Sequence, residues 1–105
     1  MSGLGEMGNL LKQAQEMQRQ LDAVRQELRA RSVEGQAAGG LVRVIVSADR
    51  HEVRGVQLAP GAPADPRALE EAVAAAVRDA LKRAGEAERE AIGRITGGMN
   101  LPGLL

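Results

Sequence analysis

From Met7 onward the apolar side chains fall on a seven-residue repeat. Met7, Ala14, Leu21 and Leu28 hold one position, and Leu10, Met17 and Val24 a second. This is the seam of a helix that packs along its length. The remaining positions are polar, with Gln13, Gln15, Gln18, Gln20 and Gln26 prominent, and neither Gly nor Pro interrupts Asn9 to Glu34. Glu27 and Arg31 stand in the favourable i,i+4 order. The pattern predicts one helix over about 4–31, on the order of 40 Å long at 1.5 Å per residue. That is long for a chain of 105 residues, so part of it is expected to project.

The period then changes. Val33, Gly35 and Ala37 alternate with polar residues, and Gly39-Gly40 marks a turn. Leu41 to Val46 is β-branched and apolar on both faces, Ala48 to His51 reads as a hairpin loop, and Val53, Val56 and Leu58 continue as a third strand. The phase slips near Gly55, which points to a bulge or a close backbone approach. Three short strands over about 32–58 make a small sheet that needs a helix or another subunit to cover it. After the Pro60 to Ala64 loop, Asp65-Pro66 reads as a helix N-cap followed by proline at the first helical position. Leu69, Val73, Val77, Ala80, Ala84, Ala87, Ala91 and Ile95 form a stripe at steps of three and four, so a second helix is expected over about 65–96, ending by Gly97-Gly98. Gly85 lies inside it and weakens it by about 1 kcal/mol relative to Ala. The predicted order is α-β-β-β-α, an α+β fold in a single domain over 1–105, with a small antiparallel sheet, two long helices and a short C-terminal tail.

Composition narrows the core. Hydrophobic residues make up 44% of the chain, yet there is no Phe, Tyr or Trp. A core of Leu, Val, Ile, Met and Ala forgoes the large burial of aromatic rings. It favours helix packing and burial across a subunit interface over a self-sufficient monomer. The absence of cysteine removes disulfides, thiolate metal sites and cysteine nucleophiles. No apolar run approaches a membrane span, and Met1 to Lys12 has no secretory pattern, so no membrane association and a cytoplasmic location are expected.

Catalytic chemistry finds little to work with. The single histidine, His51, falls in the hairpin loop, where a surface role is the simpler reading than catalysis. Glu70 and Glu71 open the second helix, where the helix dipole accounts for them. Glu86, Glu88 and Glu90 lie on an exposed helix without a nearby histidine, so no metal site is expected. Gly39-Gly40 opens no helix and is not a phosphate loop. The expectation is a protein that is not an enzyme and has no cofactor, no metal and no small-molecule substrate.

Charge is balanced, with fourteen Lys and Arg against fourteen Asp and Glu. Net charge therefore gives no support to nucleic-acid binding, and any such role must rest on layout. At 100° per residue, Arg67, Arg78, Lys82 and Arg89 fall in one stripe opposite the apolar one. Asp79, Glu86 and Glu90 lie beside it, and Glu71 interrupts it. On the first helix Lys12 and Arg19 face away from the seam, while Arg25 and Arg29 flank it. Such rows can hold phosphates. From the pattern alone an ordinary solvated helix face is the simpler account.

Several motifs, taken in order, resemble the YbaB/EbfC family of nucleoid-associated proteins. They are Gly8 to Gln18 in the first helix, Val33-Glu34-Gly35 and Gly39 to Val44 in the strands, Leu69 to Ala76 and Asp79-Ala80 in the second helix, and Thr96 to Gly103 in the tail. Each is weak alone; together they span nearly the whole chain. The resemblance implies a homodimer joined through its sheets, with long helices projecting as the arms of tweezers. It implies double-stranded DNA as partner with limited sequence preference, a place in the nucleoid, and roles in nucleoid organisation and gene regulation. Carried to this chain, the DNA-binding residues are Lys12, Arg19 and Arg25 of the first helix and Arg78, Lys82 and Arg89 of the second. Many members have Asn before the aspartate of the second helix, where this chain has Arg78. The loop Ala59 to Ala64 is richer in Pro and Ala than usual, and Arg largely replaces Lys, which suits bidentate phosphate contacts. The alternative is a dimeric adaptor whose heptad helix docks a DNA-repair or replication protein.

Overall fold

The computed structural model describes residues 2–97. They form helix α1 (Ser2–Ala30), strand β1 (Ser32–Ala37), a 3-10 turn (Ala38–Gly40), strands β2 (Val42–Ser47) and β3 (Val53–Leu58), and helix α2 (Pro66–Thr96). This is the α-β-β-β-α order expected from the sequence. The sheet is antiparallel in the order β1-β2-β3. Helix boundaries follow local chemistry. The Asp65 carboxylate accepts the Ala68 N–H at 3.0 Å, Pro66 begins the helix, and Gly97 ends it in the left-handed region. The predicted Gly98 and the tail from Met99 onward lie outside the described residues. Glu70 and Glu71 do not open α2: its first turn holds no acid, so they meet a dipole field that fades beyond that turn.

The core lies where α2 crosses β1 and β2. Val42, Val44 and Val46 face Ala76, Ala80 and Ala84, all essentially inaccessible to solvent. Gly35 on β1 explains why this contact uses alanine and no ring. A Cβ at that position would stand 2.2 Å from the Ala80 nitrogen and 2.3 Å from the Ala76 oxygen. Strand and helix backbones therefore touch, and the space that an aromatic side chain would fill does not exist.

A second cluster of Leu28, Ala48 and Ala91 joins the end of α1 to the hairpin and to α2. Arg54 fastens the same joint. Its guanidinium donates to the carbonyl oxygens of Arg29 and Ala30 and to the Ser32 hydroxyl at 2.9 Å, placing a cation on the negative end of α1. Arg54 reaches there because it is the additional residue of a bulge: Gly55 pairs with Ile45 and Val53 with Val46. The phase slip expected near Gly55 is this bulge.

Only the second half of the heptad seam is packed. Leu21 and Leu28 are buried and Met17 and Val24 half-buried, whereas Leu4, Met7, Leu10 and Leu11 are 60–73% exposed. The first half of α1 projects past the core, and the molecule measures 74 × 22 × 16 Å. The sheet also has an uncovered part. Val53, Val56 and Leu58 pair with Val46, Val44 and Val42 and so share their face, but α2 stops at β2. They remain 61, 48 and 51% exposed.

Candidate nucleic-acid interface

The buried alanines fix the rotation of α2, and that rotation turns Arg67, Arg78, Lys82 and Arg89 outward. All four are exposed. Arg78 to Arg89 spans about 16 Å of helix axis. None of the four has a carboxylate of the described residues within 4.0 Å, whereas the flanking Arg83 is held by Asp79 at 3.0 Å. The row is therefore left with its charge unneutralised by close pairs.

The α1 cations differ. Lys12 stands exposed on the projecting half, with no carboxylate partner among the described residues. Arg19 is held by Glu16 at 3.0 Å and Arg25 by Asp22 at 3.4 Å, both from the preceding turn. Exposed pairs of this kind contribute little to stability and release a cation readily to a competing anion. All six residues expected from the sequence are thus on the surface. Arg78, Lys82 and Arg89 share one face of α2, and Arg25 of α1 lines a cleft together with Glu88 of that helix.

A cleft of about 530 Å³ opens where α1, the β2–β3 hairpin and α2 meet, lined among others by Arg25, Arg29, Asp49, Arg50, His51 and Glu88. Polar contacts at its wall link all three elements. Asp49 takes Arg29 at 3.5 Å and His51 at 3.3 Å, and Glu88 takes Arg50 at 3.1 Å. The Ser47 hydroxyl, at 2.5 Å, and the His51 N–H hold the Asp49 carboxyl below the usual carboxylate range. Glu88 is therefore not remote from the histidine, as its place on a helix led one to expect: both line this cleft, and Glu88 is half-buried. Even so, among the described residues no group of three or more His, Cys, Asp or Glu could hold a metal ion. No helix among them is long and apolar enough to cross a membrane.

Asp79 closes part of the outer edge of β1. Its carboxylate accepts the Gln36 N–H at 2.9 Å and the Arg83 guanidinium at 3.0 Å. The Gln36 bond first, and Arg83 second among the favourable contacts, lower its pKa. Arg50 and the exposed face of β3 were not singled out from the sequence. The β3 face was written there, in Val53, Val56 and Leu58, but nothing local states that α2 ends its cover at β2.

The framework is α+β, with a helix that projects past the core and an exposed cationic row on α2. The chain belongs to the YbaB/EbfC DNA-binding family, whose model matches residues 3–99. It is also similar to the crystal structure of uncharacterized protein HP0035 from Helicobacter pylori. The TM-score is 0.70 at 18% identity, covering 89% of this chain and 96% of that one, which supports the fold.

Proposed function

We propose that this protein binds duplex DNA as a homodimer with limited sequence preference, organising the nucleoid and influencing gene expression there. The observation that carries the reading is the row of Arg78, Lys82 and Arg89, exposed on one face of α2 and without carboxylate partners among the described residues. Lys and Arg held at helical spacing meet phosphates, which fix position without reading sequence. Lys12, Arg19 and Arg25 add further contacts along the other arm.

The homodimer reading rests on β3. A second copy seated on Val53, Val56 and Leu58 would cover an apolar face at an open sheet edge, a surface that proteins rarely leave bare. Leu81, 39% exposed, would extend this patch. It lies two turns before Glu88, on the flank of α2 that meets the hairpin through Arg50.

The test is a salt titration of binding to random-sequence duplex. Affinity is expected to fall linearly on a logarithmic salt scale. Replacing Arg78, Lys82 and Arg89 together by Gln should reduce the slope by about 2.7 for each protomer that contacts DNA, with the circular dichroism spectrum unchanged. An unchanged slope would remove these residues from the interface. One observation favours a second reading, an adaptor: the bare seam of Leu4, Met7, Leu10 and Leu11 offers a helix for another protein. Absence of duplex binding at low salt would promote it.

A further inference from the structure

The alanine-rich run of α2 is broken at Gly85, where glycine weakens the helix. Gly85 is nevertheless buried. A Cβ there would meet the Arg50 Nη1 at 3.4 Å and the Arg89 Nη1 at 3.7 Å, and nothing else is nearer. Two guanidinium groups from different elements thus converge on one point above the helix backbone. Ala fits sterically, since both distances are ordinary contacts, so packing does not demand the glycine.

Arg50 is placed there at a cost. Its φ is +64°, a conformation that favours Gly or Asn, and the hairpin holds it through the Arg50 N–H donated to the Ser47 carbonyl at 2.9 Å. Glu88 engages its Nη2 at 3.1 Å, leaving Nη1 toward Gly85. Arg89 has no carboxylate partner among the described residues. Lys82 lies on the same stripe, one turn before Gly85.

We propose that Arg50 and Arg89 form a clamp for one backbone phosphate of duplex DNA, seated over Gly85. The chemistry fits: two planar guanidinium forks suit the oxygens of a phosphate, and the missing methyl leaves room for them. A phosphate there also offsets the repulsion between converging cations. The inference rests on the DNA-binding reading and extends it to the β2–β3 hairpin, which bears none of the residues expected from the sequence to touch DNA.

Gly85→Ala tests it sharply, because it retains every charge and improves helix propensity. The melting temperature should rise by about 4 °C, while affinity for random-sequence duplex falls about tenfold and the salt slope drops by about 1. Arg50→Gln should give the same loss of affinity and slope, and adding it to Gly85→Ala should cost little more. Arg50→Lys, which keeps the charge and removes the fork, should fall between wild type and Arg50→Gln. Wild-type affinity and slope in both Gly85→Ala and Arg50→Gln would overturn the clamp and leave the rest of the DNA interface standing. If the wild-type protein binds no duplex at low salt, the DNA reading fails and the clamp for a backbone phosphate fails with it. Titration with inorganic phosphate, followed by the NMR signals of the Arg50 and Arg89 side chains, separates the two layers. Shifts in the wild type that vanish in Gly85→Ala support the anion clamp, and their absence from the wild type counts against it.

Discussion

Gly35→Ala should be among the most damaging single substitutions in this chain, although it adds one methyl group. The new Cβ would stand 2.2 Å from the Ala80 nitrogen, 2.3 Å from the Ala76 oxygen and 2.6 Å from the Ala80 Cα. All three are backbone atoms, so no rotamer change relieves the clash. Ordinary contact begins near 3.4 Å, so α2 must lift from the sheet by roughly 1 Å, a gap that forfeits a quarter to a half of each dispersion contact it opens. The contacts at stake are those of Val42, Val44, Val46, Ala76, Ala80 and Ala84, the main buried cluster. Overpacking costs about 1–3 kcal/mol where side chains can adjust. With only backbone to yield, about 3 kcal/mol is the expected loss, a large part of the roughly 5–15 kcal/mol that holds a small domain folded. The Gln36–Asp79 hydrogen bond, one residue along β1, would loosen with it. Urea unfolding at fixed protein concentration measures the effect; the concentration must be held because the proposed dimer would contribute to stability. Gly93→Ala is the control. Its site is open, and the change should stabilise by up to about 1 kcal/mol. A Gly35→Ala protein within about 0.5 kcal/mol of wild type, the range of an ordinary surface substitution, would refute the close approach of β1 and α2.

Three further outcomes follow from other contacts. Val56→Asp with Leu58→Asp places charge in the proposed dimer face. Light scattering should then report a monomer where the wild type reports a dimer, and DNA affinity should drop as paired arms are lost. Asp79 has a folded-state pKa below its ordinary value of 3.8, so its contribution to stability is present above that value and disappears as pH falls through the folded pKa. Asp79→Asn should therefore be less stable than wild type at pH 7, and the difference should shrink at the acid end of a denaturation series. Arg54→Ala removes the cation from the last carbonyls of α1. Amide exchange should accelerate in the last turn of α1 and at Ser32, while the Ala76 to Ala84 segment of α2 keeps its protection.

The elements legible in the sequence were those specified by neighbours in the chain. Asp65-Pro66 and Gly97 mark the ends of α2 by capping chemistry alone, and the heptad spacing of α1, free of Gly and Pro from Asn9 to Ala30, marks a helix from local sequence. The outward row on α2 was legible for the same reason, since helical spacing fixes which residues share a face. What could not be read depends on which elements lie across from one another. Gly35 stood out in the sequence as one member of an alternating strand and of a family motif; its physical role appears when α2 is placed on top of it. The heptad seam named residues that can pack, yet Leu21 and Leu28 are buried while Met7 and Leu10 are without a packing partner among the described residues. Arg50 looked like a loop cation, and only the hairpin's position beside α2 brings it to Glu88 and Gly85, some thirty-five residues away in sequence.

A chain with no net charge can still present a binding field, because pairing removes charge locally. Glu16, Asp22, Asp49 and Asp79 each lie close to the cation they offset: a turn away in the same helix for Arg19, Arg25 and Arg83, and across the hairpin joint for Arg29. Those pairs produce little field beyond a Debye length of about 8 Å at physiological ionic strength. Arg78, Lys82 and Arg89 have no such companions among the described residues, so their charge extends into solvent from one side of α2. The nearest acids lie to one side of the row, Glu86 and Glu90 toward the β1 flank and Asp79 near enough to Lys82 for that cation to help lower its pKa. A phosphate backbone approaching the outer face of α2 therefore meets the cations first. If DNA binds at this row as proposed, the neutral composition would limit binding elsewhere on the surface and keep the total number of phosphates engaged small. A modest salt slope, set by these few residues and not by overall charge, is the consequence that separates this arrangement from a generally basic DNA-coating protein.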